Sequence, residues 1–180
     1  MPTPAPRRVR ATAAAMDLLR RLRAAHGPLM LHQSGGCCDG SAPMCYPAGE
    51  FIVGDRDILL GLLDLRLRTG ELPDSEPNPE DLAPVWISGP QFVAWEHTQL
   101  VLDMVPGRGS GFSLESPEGY RFLSRGRVFD TDELAALTAV EVITGAAFEL
   151  GDRPAPADEP QVVGEAIDAC PVPGTRPGAG

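Results

Sequence analysis

The sequence predicts an α+β fold made of an N-terminal helix, a small mixed β-sheet or sandwich with one embedded short helix, a C-terminal helix and a disordered tail. Three observations lead to this class. One helix-like amphipathic segment opens the chain, a second segment with an acidic start follows residue 130, and short apolar stretches lie between them. Hydrophobic residues make up 43% and charged residues 22% of the 180 residues, which is typical of a globular protein.

The composition divides the chain into one domain and two tails. We expect a disordered N-terminus over residues 1–10 and a single α+β domain over residues 11–150. Six Pro and five Gly fall within residues 151–180, where apolar residues are few. Such a segment buries too little apolar surface to offset its ordering entropy, so we predict a disordered acidic tail.

The first predicted elements precede a cysteine-containing loop. A helix over residues 11–26 is indicated by the apolar spacing of Met16, Leu18, Leu19 and Leu22, and Gly27-Pro28 ends it. Leu29–Gln33 then has the apolar composition of a short strand. The following segment, Ser34–Gly49, is rich in Gly, Cys and Pro and is predicted to be a loop.

The middle of the chain predicts further strands around one short helix. Apolar residues over 57–68, interrupted by Gly61, indicate a long strand with a bulge. Four Pro and several acids predict an exposed loop over 71–84. The remaining predicted elements are a strand over 85–88, a helix over 91–97 with Pro90 in its first turn, and a strand over 100–105.

The last elements are a predicted hairpin and a helix. The segments 112–115 and 120–123 flank a turn sequence at residues 116–119, which favours a hairpin. Thr131 is a suitable N-cap, and acids follow it in the first turn, so a helix is predicted from there to about Leu150.

Charge and hydropathy exclude several classes of function. The net charge of −10 argues against nucleic acid or an anionic membrane as a partner. The chain has no lysine, which excludes lysine Schiff-base and P-loop chemistry. No apolar run reaches the roughly 18 residues of a membrane span, and no signal peptide is evident, so we expect a cytoplasmic protein. In the cytoplasm four cysteines favour metal ligation, redox chemistry or burial over structural disulfides.

Three of the cysteines lie within nine residues of one another. Thiolates favour zinc, Cu(I) or iron–sulfur centres, and a nearby imidazole completes a tetrahedral zinc site. The predicted metal ligands are Cys37, Cys38, Cys45 and His32, holding zinc or an iron–sulfur cluster. Two alternatives stay open, because one of the adjacent cysteines can pack as a small apolar group, and Cys37 or Cys38 can form a redox pair with Cys45. Cys170 lies in the acidic tail and receives no role.

Two long segments carry a resemblance to a known family. The run LMLHQSGGCCDGSAPMCYPAGEF and the block VWISGPQFVAWEHTQLVLDMVPGRGSGFSLESPEGYRFLSRGRVF closely resemble the domain-of-unknown-function 779 family over residues 11–130. These are small bacterial proteins of unassigned activity, often encoded beside aldehyde dehydrogenases. The resemblance implies that an aldehyde dehydrogenase or another oxidation enzyme is the partner.

The order of the elements also resembles, more distantly, the HesB-like fold of A-type iron–sulfur carriers. Cys37 matches the first cluster cysteine of those carriers, within Gly35-Gly36-Cys37. The second cluster motif, Cys-x-Cys, is missing, since only Arg125-Gly-Arg127 follows the corresponding strand. Cluster ligands in this chain would therefore come from Cys38 and Cys45.

Three functions follow from these features. The first is a non-enzymatic accessory protein with a thiolate-rich metal or iron–sulfur site, associated with aldehyde or alcohol oxidation. The alternative is a thiol-dependent redox or aldehyde-handling enzyme, with Cys37 or Cys38 as nucleophile and His32 as the local base. The last is a structural or regulatory binding module with incidental cysteines. The oligomeric state stays open between a monomer and a homodimer.

Overall fold

Nine strands and four α-helices make up the computed structural model, which describes residues 4–34, 42–108 and 111–164. In chain order they are β1 (Val9–Thr12), α1 (Ala13–His26), β2 (Leu29–Gln33), β3 (Met44–Pro47), β4 (Ile58–Asp64), β5 (Leu82–Ile87), α2 (Gly89–Trp95), β6 (Thr98–Pro106), β7 (Tyr120–Val128), α3 (Thr131–Thr138), β8 (Ile143–Thr144), α4 (Gly145–Glu149) and β9 (Val162–Val163). Short 3-10 turns lie at Pro79–Asp81 and Ser116–Glu118. The predicted α+β class is confirmed.

The strands form two mixed sheets. The first sheet has the order β7-β6-β1-β9, in which β1 runs parallel to both β6 and β9 while β6 and β7 form an antiparallel pair. The second sheet has the order β3-β2-β5-β4-β8, in which only β2 and β5 run parallel. The carboxyl ends of β2 and β5 therefore meet at one edge, where Ile58 at the start of β4 pairs with Ile87.

The helix α1 follows β1 directly and covers the space between the sheets. Thr12 caps its first turn, because its hydroxyl accepts a hydrogen bond from the Ala15 N–H at 3.2 Å. Gly27 ends it with a φ of 82°, a conformation that favours glycine. Its buried stripe consists of Ala15, Met16, Leu18, Leu19 and Leu22. The predicted helix over 11–26 is thus confirmed, with its start two residues later.

Two apolar clusters lie on opposite faces of the second sheet. The larger cluster joins α1 to the inward-facing residues of both sheets and includes Leu31, Cys45, Val85, Leu102 and Phe122. The smaller cluster lies on the outer face, where Met30, Leu59 and Trp86 are covered by side chains from residues 51–53 and 143–148. Successive residues of β2 and β5 therefore face different environments, as pleating requires.

The bulge predicted at Gly61 is present in β4. The pairing with β5 shifts between Leu59 and Gly61, so Leu60 is the additional residue. A Cβ atom at Gly61 would lie 2.8 Å from Cγ1 of Val9 in β1. Glycine at this position therefore lets the two sheets approach each other closely.

Both chain ends contain structure that the sequence did not predict. Residues 1–10 were expected to be disordered, but Val9 is buried and pairs with Leu100. Of the tail predicted to be disordered over residues 151–180, residues 165–180 lie outside the described part, whereas Gln161 and Val162 are almost fully buried and β9 pairs with β1. Both differences have the same cause. Two or three apolar residues are enough to form a strand when a neighbouring strand supplies hydrogen-bond partners for their backbone groups.

Three other elements differ from their predictions. The loop predicted over 34–49 contains β3, whose partner is β2. The predicted hairpin strand 112–115 is not a strand, because β7 pairs with β6 instead. The predicted helix 131–150 is divided into α3 and α4 by β8, where Ile143 and Thr144 are β-branched and pair with β4. No helix among the described residues is long and apolar enough to cross a membrane.

Candidate functional site

His32 lies near the end of β2 on the outer face of the second sheet. It pairs with Met44 of β3 and Trp86 of β5, and it is only 3% exposed. The ring of Phe51 packs against the imidazole at a centroid distance of 4.4 Å, and Tyr46 stacks on Phe51 at 4.8 Å. The imidazole is therefore surrounded by largely apolar groups, just before the cysteine-containing loop predicted over residues 34–49, which we call the cysteine segment.

A chain of hydrogen bonds passes through this imidazole. Nε2 of His32 lies 2.8 Å from Oδ2 of Asp57, and Nδ1 lies 2.8 Å from Oγ of Ser34. An ionised carboxylate only accepts hydrogen bonds, which assigns the proton of neutral His32 to Nε2. Nδ1 then carries a lone pair and accepts the hydroxyl hydrogen of Ser34, whose side chain is exposed.

Asp57 is itself fixed by a tight turn. Its Oδ2 atom accepts the Gly54 N–H at 2.8 Å, and its own N–H donates to the Gly54 carbonyl at 3.0 Å. Its carbonyl accepts the N–H of Gly145 at 2.9 Å. Three backbone groups thus fix Asp57, and one of them, the Gly54 N–H, binds the carboxylate directly.

Two glycines allow other segments to close on this turn. A Cβ atom at Gly145 would lie 2.2 Å from the Gly54 carbonyl oxygen, and one at Gly89 would lie 2.9 Å from the Arg56 carbonyl oxygen. Side chains do not fit at either position without movement of backbone atoms. The start of α2 and the start of α4 therefore hold the 54–57 turn from two sides.

Cys45 lies on the opposite face of the same sheet. It pairs with Leu31, so its side chain faces the inner cluster, where it is fully buried. Its backbone N–H donates to Oγ of Ser113 at 2.9 Å, and its carbonyl accepts the Leu114 N–H at 3.1 Å. Residues 113–114 thus cover the outer edge of β3.

A buried carboxyl group lies beside this thiol. The Ser113 hydroxyl donates to Glu115, whose other oxygen accepts the Phe122 N–H at 3.3 Å. Burial raises the pKa of Glu115, although these hydrogen bonds oppose the shift. Burial, with the nearby charge of Glu115, also raises the pKa of the Cys45 thiol. Cys45 is therefore held as a thiol rather than a thiolate.

Of the four predicted metal ligands the structure describes His32 and Cys45, and it does not bring these two together. His32 and Cys45 occupy adjacent registers of β2 and β3 and consequently face opposite sides of the sheet. Cys37 and Cys38, like Cys170, lie outside the described residues. Across residues 4–34, 42–108 and 111–164, no group of three or more His, Cys, Asp or Glu side chains is arranged to hold a metal ion.

Sequence reasoning did not identify Asp57 or Phe51 as members of the site. Asp57 lies 25 residues after His32, and only the strand order β2-β5-β4 places the two side chains together. An acidic residue just before a strand, within the turn sequence Gly54–Asp57, was the available signal. It becomes specific only once that strand order is known.

A comparison with protein-family profiles identifies what kind of chain this is. The profile described as a domain of unknown function (DUF779) matches residues 18–128, which is more than half of the chain. The chain belongs to the DUF779 family. The match contains His32, Asp57 and Cys45 together with the whole cysteine segment, so the family's shared region includes the hydrogen-bonded site. Searches of curated proteins and of solved structures give no significant match. The resemblance of this DUF779 chain to A-type carriers and its link to aldehyde dehydrogenases stay predictions.

Proposed function

We propose that this DUF779 protein carries out thiol-dependent chemistry on a carbonyl compound, with Cys37 or Cys38 as nucleophile and His32 as base. The observation that supports it is the hydrogen-bond chain Asp57–His32–Ser34, which leaves the basic Nδ1 atom at the start of the cysteine segment. A nucleophile is activated by a neighbouring base that a third group orients. Asp57 supplies that orientation here.

Chain connectivity keeps the thiols within range of this base. Cys37 follows Ser34 by three residues, and consecutive Cα atoms are about 3.8 Å apart. The Cα atom of Cys37 is therefore at most about 11 Å from that of Ser34, whichever path the chain takes. Ser34 already bonds to Nδ1, so its hydroxyl lies where a proton would be transferred to or from the imidazole.

The proposed step is the reversible addition of a thiol to an aldehyde. The thiol proton passes by way of the Ser34 hydroxyl to Nδ1 of His32, and the thiolate sulfur forms a bond to the carbonyl carbon. The carbonyl π electrons move to oxygen, which then takes the proton back from the imidazolium. The product is a thiohemiacetal, and no oxidant or reductant is consumed. Aldehydes are the proposed electrophiles because the family resemblance links these chains to aldehyde oxidation.

Alkylation kinetics test the base. We expect iodoacetamide to react with one loop thiol of the wild-type protein with an apparent pKa below the ordinary value of about 8.5. Cys37→Ser or Cys38→Ser identifies which thiol reacts. Asp57→Asn and His32→Gln should each raise the apparent pKa and slow alkylation at neutral pH. The control is His97→Gln, since His97 is exposed and lies outside this hydrogen-bond chain. An unchanged pH profile in Asp57→Asn would remove the proposed role of the imidazole.

A second candidate is a non-enzymatic metal or iron–sulfur protein, and the hydrogen bond between His32 and Asp57 favours it. Metal-binding histidines commonly donate their other ring N–H to a carboxylate, as His32 does to Asp57. Nδ1 of His32, Cys37 and Cys38 would be the ligands, and Cys45 would not take part. Metal and sulfide analysis after anaerobic purification distinguishes the candidates. Metal retained by Cys45→Ser but lost from a Cys37→Ser/Cys38→Ser variant would support this second function over the first.

A further inference from the structure

Gln33, the last residue of β2, has a buried side chain that bonds to no other residue in the described part of the chain. It pairs with Ile87 of β5 and faces inward, opposite to His32, and it is 0% exposed. Among the described residues neither Oε1 nor Nε2 of this amide has a hydrogen-bond partner. Buried polar atoms are almost always paired in native proteins, so an amide that lacks both bonds needs an explanation.

Such an amide destabilises the protein unless something binds it. Removing a primary amide from water without new hydrogen bonds is unfavourable. A leucine has similar volume and would cost nothing of this kind. The chain therefore carries an unfavourable group at a buried position, as binding sites commonly do.

Two further polar residues, Ser88 and Gln91, follow β5 at the same end of the sheet. The Ser88 N–H donates to the Gln33 carbonyl at 3.1 Å, and the Ser88 side chain makes no capping bond to α2. Three residues further, Oε1 of Gln91 is buried and also lacks a partner within the described chain. These groups share the edge where the carboxyl ends of β2 and β5 meet, which in open sheets is where ligands bind.

The neighbouring surface is mainly apolar. Ile87, the partner of Gln33, and Phe92, which follows Gln91, both line a small cavity between the sheets and α2. The other lining residues are Arg8, Leu60, Trp95, Thr98 and Leu100. The guanidinium of Arg8 donates to the Glu96 carbonyl at 3.3 Å and lies over the Phe92 ring, so it is already engaged.

We infer that this edge binds a small neutral molecule that presents a hydrogen-bond acceptor beside a donor, attached to an apolar body. A primary carboxamide is the simplest member of this class. Its carbonyl would accept from Nε2 of Gln33 and its NH₂ would donate to Oε1, while the apolar body lies toward Ile87 and Phe92. A charged ligand is disfavoured because Gln33, Ser88 and Gln91 bear no charge to compensate its desolvation. The inference does not depend on the thiol chemistry proposed above.

Thermal unfolding with propionamide as the probe tests this site. We expect propionamide to raise the Tm of the wild-type protein, and N,N-dimethylpropionamide, which lacks the donor, to have no effect. Gln33→Leu should have a higher Tm than wild type without the probe and should not respond to it. Asp57→Asn should respond as wild type does, which separates this site from the thiol chemistry.

A second measurement does not depend on stability. The side-chain NH₂ resonances of Gln33, assigned by their loss in Gln33→Leu, should shift as propionamide is added to the wild-type protein. A lower Tm for Gln33→Leu would show that the amide has a structural partner and would overturn the inference. So would unshifted Gln33 resonances, or equal responses to propionamide, its dimethyl analogue and propionate.

Discussion

At the scale of single residues, alternation along β2 decides which groups can react together. His32 and Gln33 are adjacent in sequence, yet one faces the aromatic cover of the outer surface and the other faces the inner cluster. The same alternation separates Cys45 from His32. Consequently the sheet places an acid–base pair on one side and a buried thiol and carboxyl on the other.

Glu115 gives a prediction at this scale. Its pKa is raised in the folded protein, so its contribution to stability is complete below the unfolded pKa of about 4.3 and is lost as pH rises through the folded pKa. Glu115→Gln keeps a neutral group that can bond Ser113 and Phe122. We therefore expect the free energy of unfolding of this variant, relative to wild type, to increase from pH 4 to pH 7.

Urea unfolding at several pH values measures that difference. Although burial opposes both shifts, hydrogen bonds from Arg125 and Arg127 lower the pKa values of Asp103 and Glu133, and these pairs lose stability as pH falls. Both variants contain them, so they cancel in the comparison. Glu118→Gln, an exposed change nearby, is the control. A pH-independent difference for Glu115→Gln would show that Glu115 does not titrate in this range.

At the scale of elements, the 54–57 turn connects the site to two helices. The starts of α2 and α4 approach its carbonyl groups so closely that glycine occupies both contact positions. The position of Asp57 therefore depends on segments that are distant in sequence. A change in either helix is expected to act at the imidazole without touching it.

Gly145→Ala tests this dependence. The new Cβ atom would lie 2.2 Å from the Gly54 carbonyl oxygen, so the turn must move. We expect a loss of about 1–3 kcal/mol in the free energy of unfolding, as for other overpacked sites. We also expect the loop thiol of Gly145→Ala to be alkylated with the same raised apparent pKa as in Asp57→Asn. Gly164→Ala is the matched control, because nothing lies within 4 Å of its Cβ position. If Gly145→Ala is destabilised but its thiol is alkylated at the wild-type rate, the position of the turn does not control the site.

The elements that could be predicted are those specified by local sequence. β2 has the predicted bounds Leu29–Gln33, and α1 and the bulge in β4 follow from apolar spacing and from Gly61. β3 was missed because Gly, Cys and Pro around it indicate a loop, and only its pairing with β2 makes it a strand. The site was predictable to the same extent. His32 could be identified because it precedes the cysteines in sequence. Asp57 could not, because only the strand order of the folded sheet places it beside His32.

At the scale of the whole molecule, Gln161 connects the two sheets. Its Oε1 atom accepts the Asp64 N–H at 3.0 Å, and its Nε2 atom donates to the Asp64 carbonyl at 2.6 Å. Its own carbonyl accepts the Ala11 N–H at 2.9 Å. One side chain thus completes the backbone pairing at the end of β4 while its backbone extends the pairing of β1 with β9.

Replacing that amide should destabilise the protein. Gln161→Ala leaves the N–H and carbonyl of Asp64 buried without partners, and each such group costs about 1–3 kcal/mol. We expect a total loss of about 2–6 kcal/mol in the free energy of unfolding, measured with urea. Asp158→Ala, an exposed change in the same segment, should stay within about 0.5 kcal/mol of wild type. Equal midpoints for the two variants would contradict a role for this segment in stability.

The pairing of β1 with β9 has a consequence during synthesis of the chain. A nascent polypeptide emerges with its N-terminus first, so β1 is made long before the residues that cover its edge. In products of interrupted translation that end before Gln161, the backbone groups on the β9 side of β1 would lack their partners. Unpaired strand edges template association with other chains. Incomplete copies of this protein are therefore expected to aggregate more readily than complete copies, in which β9 covers this side of β1.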